Sequence, residues 1–234
     1  MQQAWTIFRR EFATYFVSPV AYIVISIFLL ITGWFFFATF FLFNQADLRN
    51  FFSMLPLIFS FVVPAVTMRL FSEELNVGSY ETLLTLPVTP GQVIVGKFLA
   101  ATAFVAAMLA PTLSYPLCIS LLGRLDPGPV VGGYLGALLL GAAFAAIVLF
   151  ASSLTRSQII AFIIGTAVCF ALTLVNRILF FLPEAAVGVF EYLGADHHFQ
   201  NIAKGVVDTR DLVYFASMVF IALYATHLSM QRKF

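Results

Sequence analysis

Six runs of 18 or more residues pass almost without charge, at positions 20–43, 51–68, 98–122, 131–154, 159–182 and 212–230. Each is long enough, as helix, to cross a hydrocarbon core of about 30 Å. In such a medium every backbone polar group must be satisfied within the protein, which leaves helices or closed barrels. Barrel strands would alternate polar and apolar residues over about 10 positions, and no such alternation occurs. The chain therefore reads as all-α, a polytopic bundle of six transmembrane helices. Composition supports this: 62% of residues are hydrophobic and 10% charged, against about 25% charged in a soluble domain. A net charge of +1 offers no field to a polyanion, so nucleic acid is excluded as a partner. The second run is the shortest and holds Pro56 and Pro64, which predicts tilt or a kink. The first run lacks a small-residue cleavage site and follows a structured-looking segment, so it is expected to stay as a helix rather than be removed as a signal peptide.

An even number of spans puts both termini on one side. With the termini in the cytoplasm, the inner pieces hold Arg9, Arg10, Arg69, Lys97, Arg156, Arg232 and Lys233, and the outer ones Arg49, Arg124, Lys204 and Arg210. The positive-inside bias favours that orientation. No repeat of 20–50 residues is visible, which argues against an internally duplicated carrier.

The segments between the spans carry the local signals. In residues 1–19, Trp5, Phe8, Phe12, Tyr15 and Phe16 share one helical face, with Arg10, Glu11 and Thr14 opposite. That pattern predicts an amphipathic helix in the membrane plane, leading into a single helical domain over 20–234. The loop 69–92 reads as a compact helical knob. Gly78 can close one short helix, Ser79 can cap another that Pro87 stops, and Thr89-Pro90-Gly91-Gln92 resembles a capping box opening the third span. Glu73, Glu74 and Glu81 beside Leu83 and Leu84 suggest a docking surface for a soluble partner. The outer segment 183–211 is semi-apolar and suits short helices dipping into the outer leaflet. Gly132, Gly136, Ala137 and Gly141 give the fourth span a small-residue face.

Chemistry is sparse. Gly91 to Lys97 nearly spells a phosphate-binding loop, but Phe98 stands where Ser or Thr must hold magnesium, and no strand precedes it. Asp196, His197 and His198 lack metal-ligand spacing and read as outward-facing surface residues. Ser152-Ser153 has no GxSxG around it. Cys118 and Cys169 sit in apolar runs and read as inert thiols. Arg177 interrupts the fifth span near its end, where its head can snorkel to the interface or meet a substrate or lipid. No span carries an acid near its middle, which counts against an ion-driven carrier.

The order of these parts resembles the permease subunits of the type-2 ATP-binding-cassette (ABC) export class, most of all the gliding-motility-associated permeases. The stretch MRLFSEELNVGSYETLLTLPVTPGQVIVGKFLAA (68–101) carries the resemblance most specifically. RREFATYFVSPVAYIV (9–24), GGYLGALLLGAAFAAI (132–147), FASSLTRSQIIAFI (150–163) and GVVDTRDLVYF (205–215) extend it. It implies an interfacial elbow helix, a cytoplasmic coupling helix after span two and re-entrant outer helices before span six. It also implies a bacterial inner-membrane location, and pairing with a second permease copy or a related chain and with ABC ATP-binding subunits that hold ATP and Mg. An auxiliary membrane subunit with a large periplasmic domain often accompanies the gliding type. On this reading the chain has no catalytic site or cofactor of its own, and Glu73, Glu74, Gly78, Glu81, Leu83, Leu84 and Pro87 form the docking site. Two other readings compete. One is an ATP-independent scaffold anchoring an extracytoplasmic complex. The other is a membrane enzyme using Asp196, His197, His198 and Asp208.

Overall fold

The structure, a computed structural model, describes residues 2–43, 47–78, 88–122, 126–178, 188, 191–206 and 208–231. The elements are α1 (Gln2–Val17), α2 (Pro19–Phe43), α3 (Arg49–Thr67), α4 (Arg69–Val77), α5 (Pro90–Leu109), a 3-10 turn (Ala110–Leu113), α6 (Ser114–Leu122), α7 (Pro127–Leu154), α8 (Gln158–Ile178), α9 (Ala195–Ala203) and α10 (Thr209–Gln231). Among the described residues there is no strand. Six helical stretches are long and apolar enough to cross a membrane: α2, α3 continuing into α4, α5 continuing into α6, α7, α8 and α10. The fold is the all-α bundle the hydropathy pattern predicts, and the chain is a multi-pass membrane protein.

Local chemistry sets the helix ends. Thr89 is extended, its Oγ1 accepts from Gln92 N–H at 3.4 Å, and its own N–H donates to Gln92 Oε1 at 3.0 Å. This is the expected capping box, with Pro90 at the first helical position, where a missing N–H is harmless. Asp126 caps α7 by a single bond, its Oδ1 accepting from Gly128 N–H at 3.1 Å. The third span differs from its predicted limits. It begins at Pro90 rather than residue 98, because Lys97 is neutralised inside the protein. It also tightens into a 3-10 turn around Pro111, whose ring nitrogen cannot donate to the helical ladder. Pro56 and Pro64 both lie inside one helix, α3, and the chain turns just beyond it at Met68.

The bundle is organised around α7, which packs against α3, α4, α5, α8, α9 and α10. The helix is apolar all round, and Leu140, Phe144, Val148 and Leu149 are fully buried, while Val131, Leu135 and Leu154 toward its ends stay exposed. Lipid tails are as apolar as leucine, so close van der Waals packing rather than water exclusion holds such helices together. The small residues make this contact possible. A Cβ on Gly132 would overlap the Ile202 carbonyl oxygen of α9, and one on Gly141 would sit 2.6 Å from Val105 Cγ1 of α5. At the other end of α7, Ser152 bonds to α4. Twenty residues of helix separate Gly132 from Ser152, about 30 Å at 1.5 Å per residue. The α9 end and the α4 end of the bundle are thus a hydrocarbon thickness apart.

Helix α1 forms where expected, but its inner face is not the aromatic one. Ile7 and Tyr15 are buried against α5, with Glu11 between them. The stacked rings of Trp5, Phe8 and Phe12, centroids 4.7 and 5.8 Å apart, run along a neighbouring face, and Trp5 is exposed. Glu11, assigned to the polar face by the sequence pattern, turns inward because a cation waits there.

Candidate functional site

That cation is Lys97. Its side chain is 1% exposed, and its Nζ donates to Glu74 Oε1 of α4 at 2.7 Å and to Glu11 Oε1 of α1 at 3.2 Å. Phe71 lies alongside, its ring centroid 5.3 Å from the ammonium. Arg10 adds a second positive charge, 3.0 Å from Glu11 and 3.9 Å from Glu74. Burial pushes the Glu11 carboxyl upward, but the Lys97 ammonium and the Arg10 guanidinium outweigh it and hold the group below its ordinary value. One lysine therefore ties together three elements distant in sequence: the interfacial helix, α4 and the start of the third span. Gly96 beside it lets α1 lie close, since a Cβ there would fall 2.8 Å from Ile7 Cγ2 and 3.0 Å from the Ala4 carbonyl oxygen. The glycine and lysine that mimicked a phosphate loop act here as a packing surface and its ion-pair centre.

Helix α4 is fixed from a second direction. Its first-turn amides have no cap from Met68, the residue before it. Ser152 of α7 supplies one: its Oγ accepts from Phe71 N–H at 3.1 Å and Ser72 N–H at 2.9 Å, and donates to the Met68 carbonyl at 2.6 Å. These are the orphan donors that every helix start must satisfy. At its far end Gly78 adopts φ of 74°, the left-handed closing position that the sequence predicts.

Between α1 and α4 lies an open cleft of about 420 Å³, walled by Arg10, Tyr15, Arg69 and Glu73, with Glu11, Glu74 and Lys97 at its floor. The Arg69 guanidinium sits 5.1 Å from the Tyr15 ring centre. Of the seven residues expected to form a docking site, the structure places Glu73 and Glu74 on this short helix and Gly78 at its closing position. Glu73 is exposed, while Glu74 turns inward to Lys97. Glu81, Leu83, Leu84 and Pro87 lie outside the described residues. Arg177 falls in the last turn of α8, its side chain also outside them. Sequence reasoning missed Tyr15, Lys97 and Ser152 as members. The available signal was a lysine carried seven residues into an otherwise apolar helix.

The opposite end holds a second polar cluster. His198 is 1% exposed, which corrects the surface reading of the 196–198 group. Its Nε2 faces the Tyr192 carbonyl at 3.0 Å and its Nδ1 the Asp211 carboxylate at 2.6 Å, with the Tyr214 ring stacked at 4.0 Å. A carbonyl only accepts, so in the contact with Tyr192 it is Nε2 that donates. The pair fastens α9 to α10. The four residues of the enzyme reading do not converge. His197 pairs with Glu191 at 3.2 Å, Asp196 accepts from Gln200 at 3.2 Å, and Asp208 is exposed and accepts from Arg210 N–H at 3.1 Å.

Against known proteins, the family model described as ABC-2 family transporter protein matches residues 20–232, nearly the whole chain. No curated protein matches it.

Proposed function

The chain belongs to the ABC-2 transporter family, and from that premise we propose how it works. It is a membrane permease subunit of an ABC transporter, distinct from the catalytic ATPase, and it pairs with an ABC ATP-binding subunit. On our reading the partner holds ATP and Mg and docks on the 69–92 loop. Its closure on ATP is passed mechanically into the bundle. The permease works beside a second copy or a related chain in a bacterial inner membrane, with α4 and both termini on the cytoplasmic side. The similar stretches at 9–24 and 68–101 favour the gliding-motility-associated branch.

The observation that carries this is Lys97 bridging Glu74 and Glu11. A docking helix must transmit displacement, and α4 is joined to α5 by the buried Glu74–Lys97 pair, through Lys97 to Glu11 of α1, and to Ser152 of the central helix by two of its own amides and the carbonyl of Met68 just before it. A push on α4 therefore moves α1, α5 and α7 together rather than bending a loop.

The test is ATP turnover by the ATP-binding subunit reconstituted with this chain in lipid. Leu84→Asp places a charge in the docking contact, and such losses cost about 2–5 kcal/mol, or roughly 30-fold or more in affinity. Leu84→Asp and Glu73→Lys are expected to abolish partner-driven turnover while leaving expression and insertion unchanged, and Asp208→Ala at the far end to leave it intact. The permease alone is expected to hydrolyse no ATP. Full coupled turnover in both loop variants would overturn the docking reading and favour the scaffold.

A further inference from the structure

Helices α8 and α10 each pack on α7 but hardly touch one another. Between them lies a groove of about 410 Å³ whose floor is α7, at Ile147 and Ala151. Val168 and Leu172 wall it on the α8 side, Met218 and Ile221 on the α10 side. Val168 and Ile221 are exposed although both lie near the middle of a span. Two polar side chains line the groove, and both hydroxyls are already engaged. Tyr214 donates to the Leu193 carbonyl at 2.7 Å and Ser217 to the Tyr214 carbonyl at 2.8 Å. A sugar or any other polar ligand would find its groups unpaired there. The groove suits an alkyl chain.

A second pocket, of about 300 Å³, adjoins the first, and Tyr214 and Ser217 line both. Its lining is of another kind: Tyr192, Thr209 and Arg210, with no carboxylate among the residues around it. Arg210 is exposed, and its guanidinium has no carboxylate within 4.0 Å among the described residues. The neighbouring Asp208 is engaged locally, accepting from the Arg210 N–H and from the Thr209 hydroxyl. Fifteen residues of α10 separate Arg210 from Ala225, the last groove residue on that helix, or about 22 Å at 1.5 Å per residue. The two cavities together thus run from one edge of a hydrocarbon core of about 30 Å to beyond its middle. A cation stands at the edge, and only apolar surface lies open below it.

We propose that this composite site holds one phospholipid of the leaflet at the α9 end. Its phosphodiester pairs with Arg210, whose planar fork of N–H donors matches phosphate oxygens. One acyl chain lies along α10 and fills the groove over α7. The competing occupant is a helix of a second copy. A helix is about 10–12 Å across, so it lies over such a groove and leaves the space beneath it empty, forfeiting the dispersion contacts that the lining can make. It also brings no anion to Arg210. The lipid acts as a prop between α8 and α10, two spans that do not brace each other. The proposal does not depend on the docking reading.

The experiment takes the full chain, delipidated in detergent, and titrates it under native mass spectrometry. The probes are dioleoylphosphatidylglycerol and dioleoylglycerol, which has the same chains and no phosphate. The wild type is expected to hold one phospholipid about tenfold or more tightly than dioleoylglycerol, as a charge-assisted contact does. Arg210→Gln removes a cation from the first turn of α10, where it opposes the helix dipole, so the fold is retained; the variant is expected to erase that difference. Lys204→Gln, at the same end but outside the pocket, is expected to preserve it. Met218→Trp fills the groove and is expected to lower binding of both probes. Equal phospholipid affinity in the wild type and Arg210→Gln overturns the proposal and leaves only lipid of the ordinary annulus. Full binding of both probes by Met218→Trp, with an unchanged unfolding midpoint, places the lipid elsewhere and overturns it too. Loss of a dimer in Met218→Trp with lipid binding unchanged assigns the groove to a second copy and likewise overturns it. If Met218→Trp does not fold, the Arg210→Gln comparison decides alone.

Discussion

Lys97 shows how much one side chain can decide. Removing one member of a buried ion cluster leaves the others uncompensated, a loss of about 3–5 kcal/mol. Lys97→Met is therefore expected to lower the thermal unfolding midpoint of the purified protein well beyond any surface substitution. Restoring neutrality with Glu11→Gln and Glu74→Gln in the same chain is expected to recover most of it. The pH dependence has a definite sign. Glu11 is held below its ordinary value of 4.5, so its stabilisation is complete above that pH and lost as pH falls through the lower folded value. Lys97→Met removes the leading influence that lowers Glu11, so this acid loss is expected to shrink or disappear in the variant, read from unfolding midpoints between about pH 3 and 6. Little of this was legible beforehand. The local periodicity of residues 5–16 puts Glu11 on the polar side, and its partner lies 86 residues away. His198 was misread for the same reason: its acid, Asp211, lies 13 residues on, in another helix. Pairing in space leaves no mark on hydropathy.

At the level of elements the sequence was far more readable, because helix ends and close packing are written locally. The capping box at Thr89, the left-handed Gly78 and the glycine face of the fourth span stand where their residue types require. The glycines can be ranked. A methyl on Gly132 meets the backbone of α9, which cannot yield. On Gly136 it meets side chains at 3.2 to 3.3 Å, and on Gly91 it meets nothing within 4 Å. Gly132→Ala is expected to destabilise by about 1–3 kcal/mol, the usual cost of overpacking. Gly136→Ala should cost less, and Gly91→Ala should be neutral or slightly stabilising, in thermal unfolding measured side by side. Ser152→Ala is a separate test. It strands the Phe71 and Ser72 amides, which are expected to cost about 1–3 kcal/mol and to raise hydrogen exchange at the start of α4 specifically. Sequence could not reveal this splint, because a serine in an apolar run usually returns its hydroxyl to its own helix, as Ser153 does to Phe150.

The whole molecule is a bundle whose two polar clusters sit at opposite ends of one central helix. Six spans and the distribution of basic residues were enough to propose its orientation. Reporter fusions after Arg124 and after Lys204 are expected to read as external, and fusions within the 69–92 loop as cytoplasmic. A cytoplasmic signal at either outer site would refute that topology. The bundle's assembly, like its stability, depends on long-range closure. Glu11 leaves the ribosome 86 residues before Lys97, an interval of roughly 4–17 s at typical synthesis rates. Throughout that time the Glu11 carboxylate has Arg10 of its own helix beside it but no lysine in the bundle to receive it, so the helix is expected to wait at the membrane surface, held by its aromatic row. Nascent chains arrested before Lys97 emerges should expose α1 to added protease, and chains arrested once the third span has inserted should shield it. On that outcome the lysine is a checkpoint in biogenesis, reporting to the N-terminal helix that the later ones have arrived.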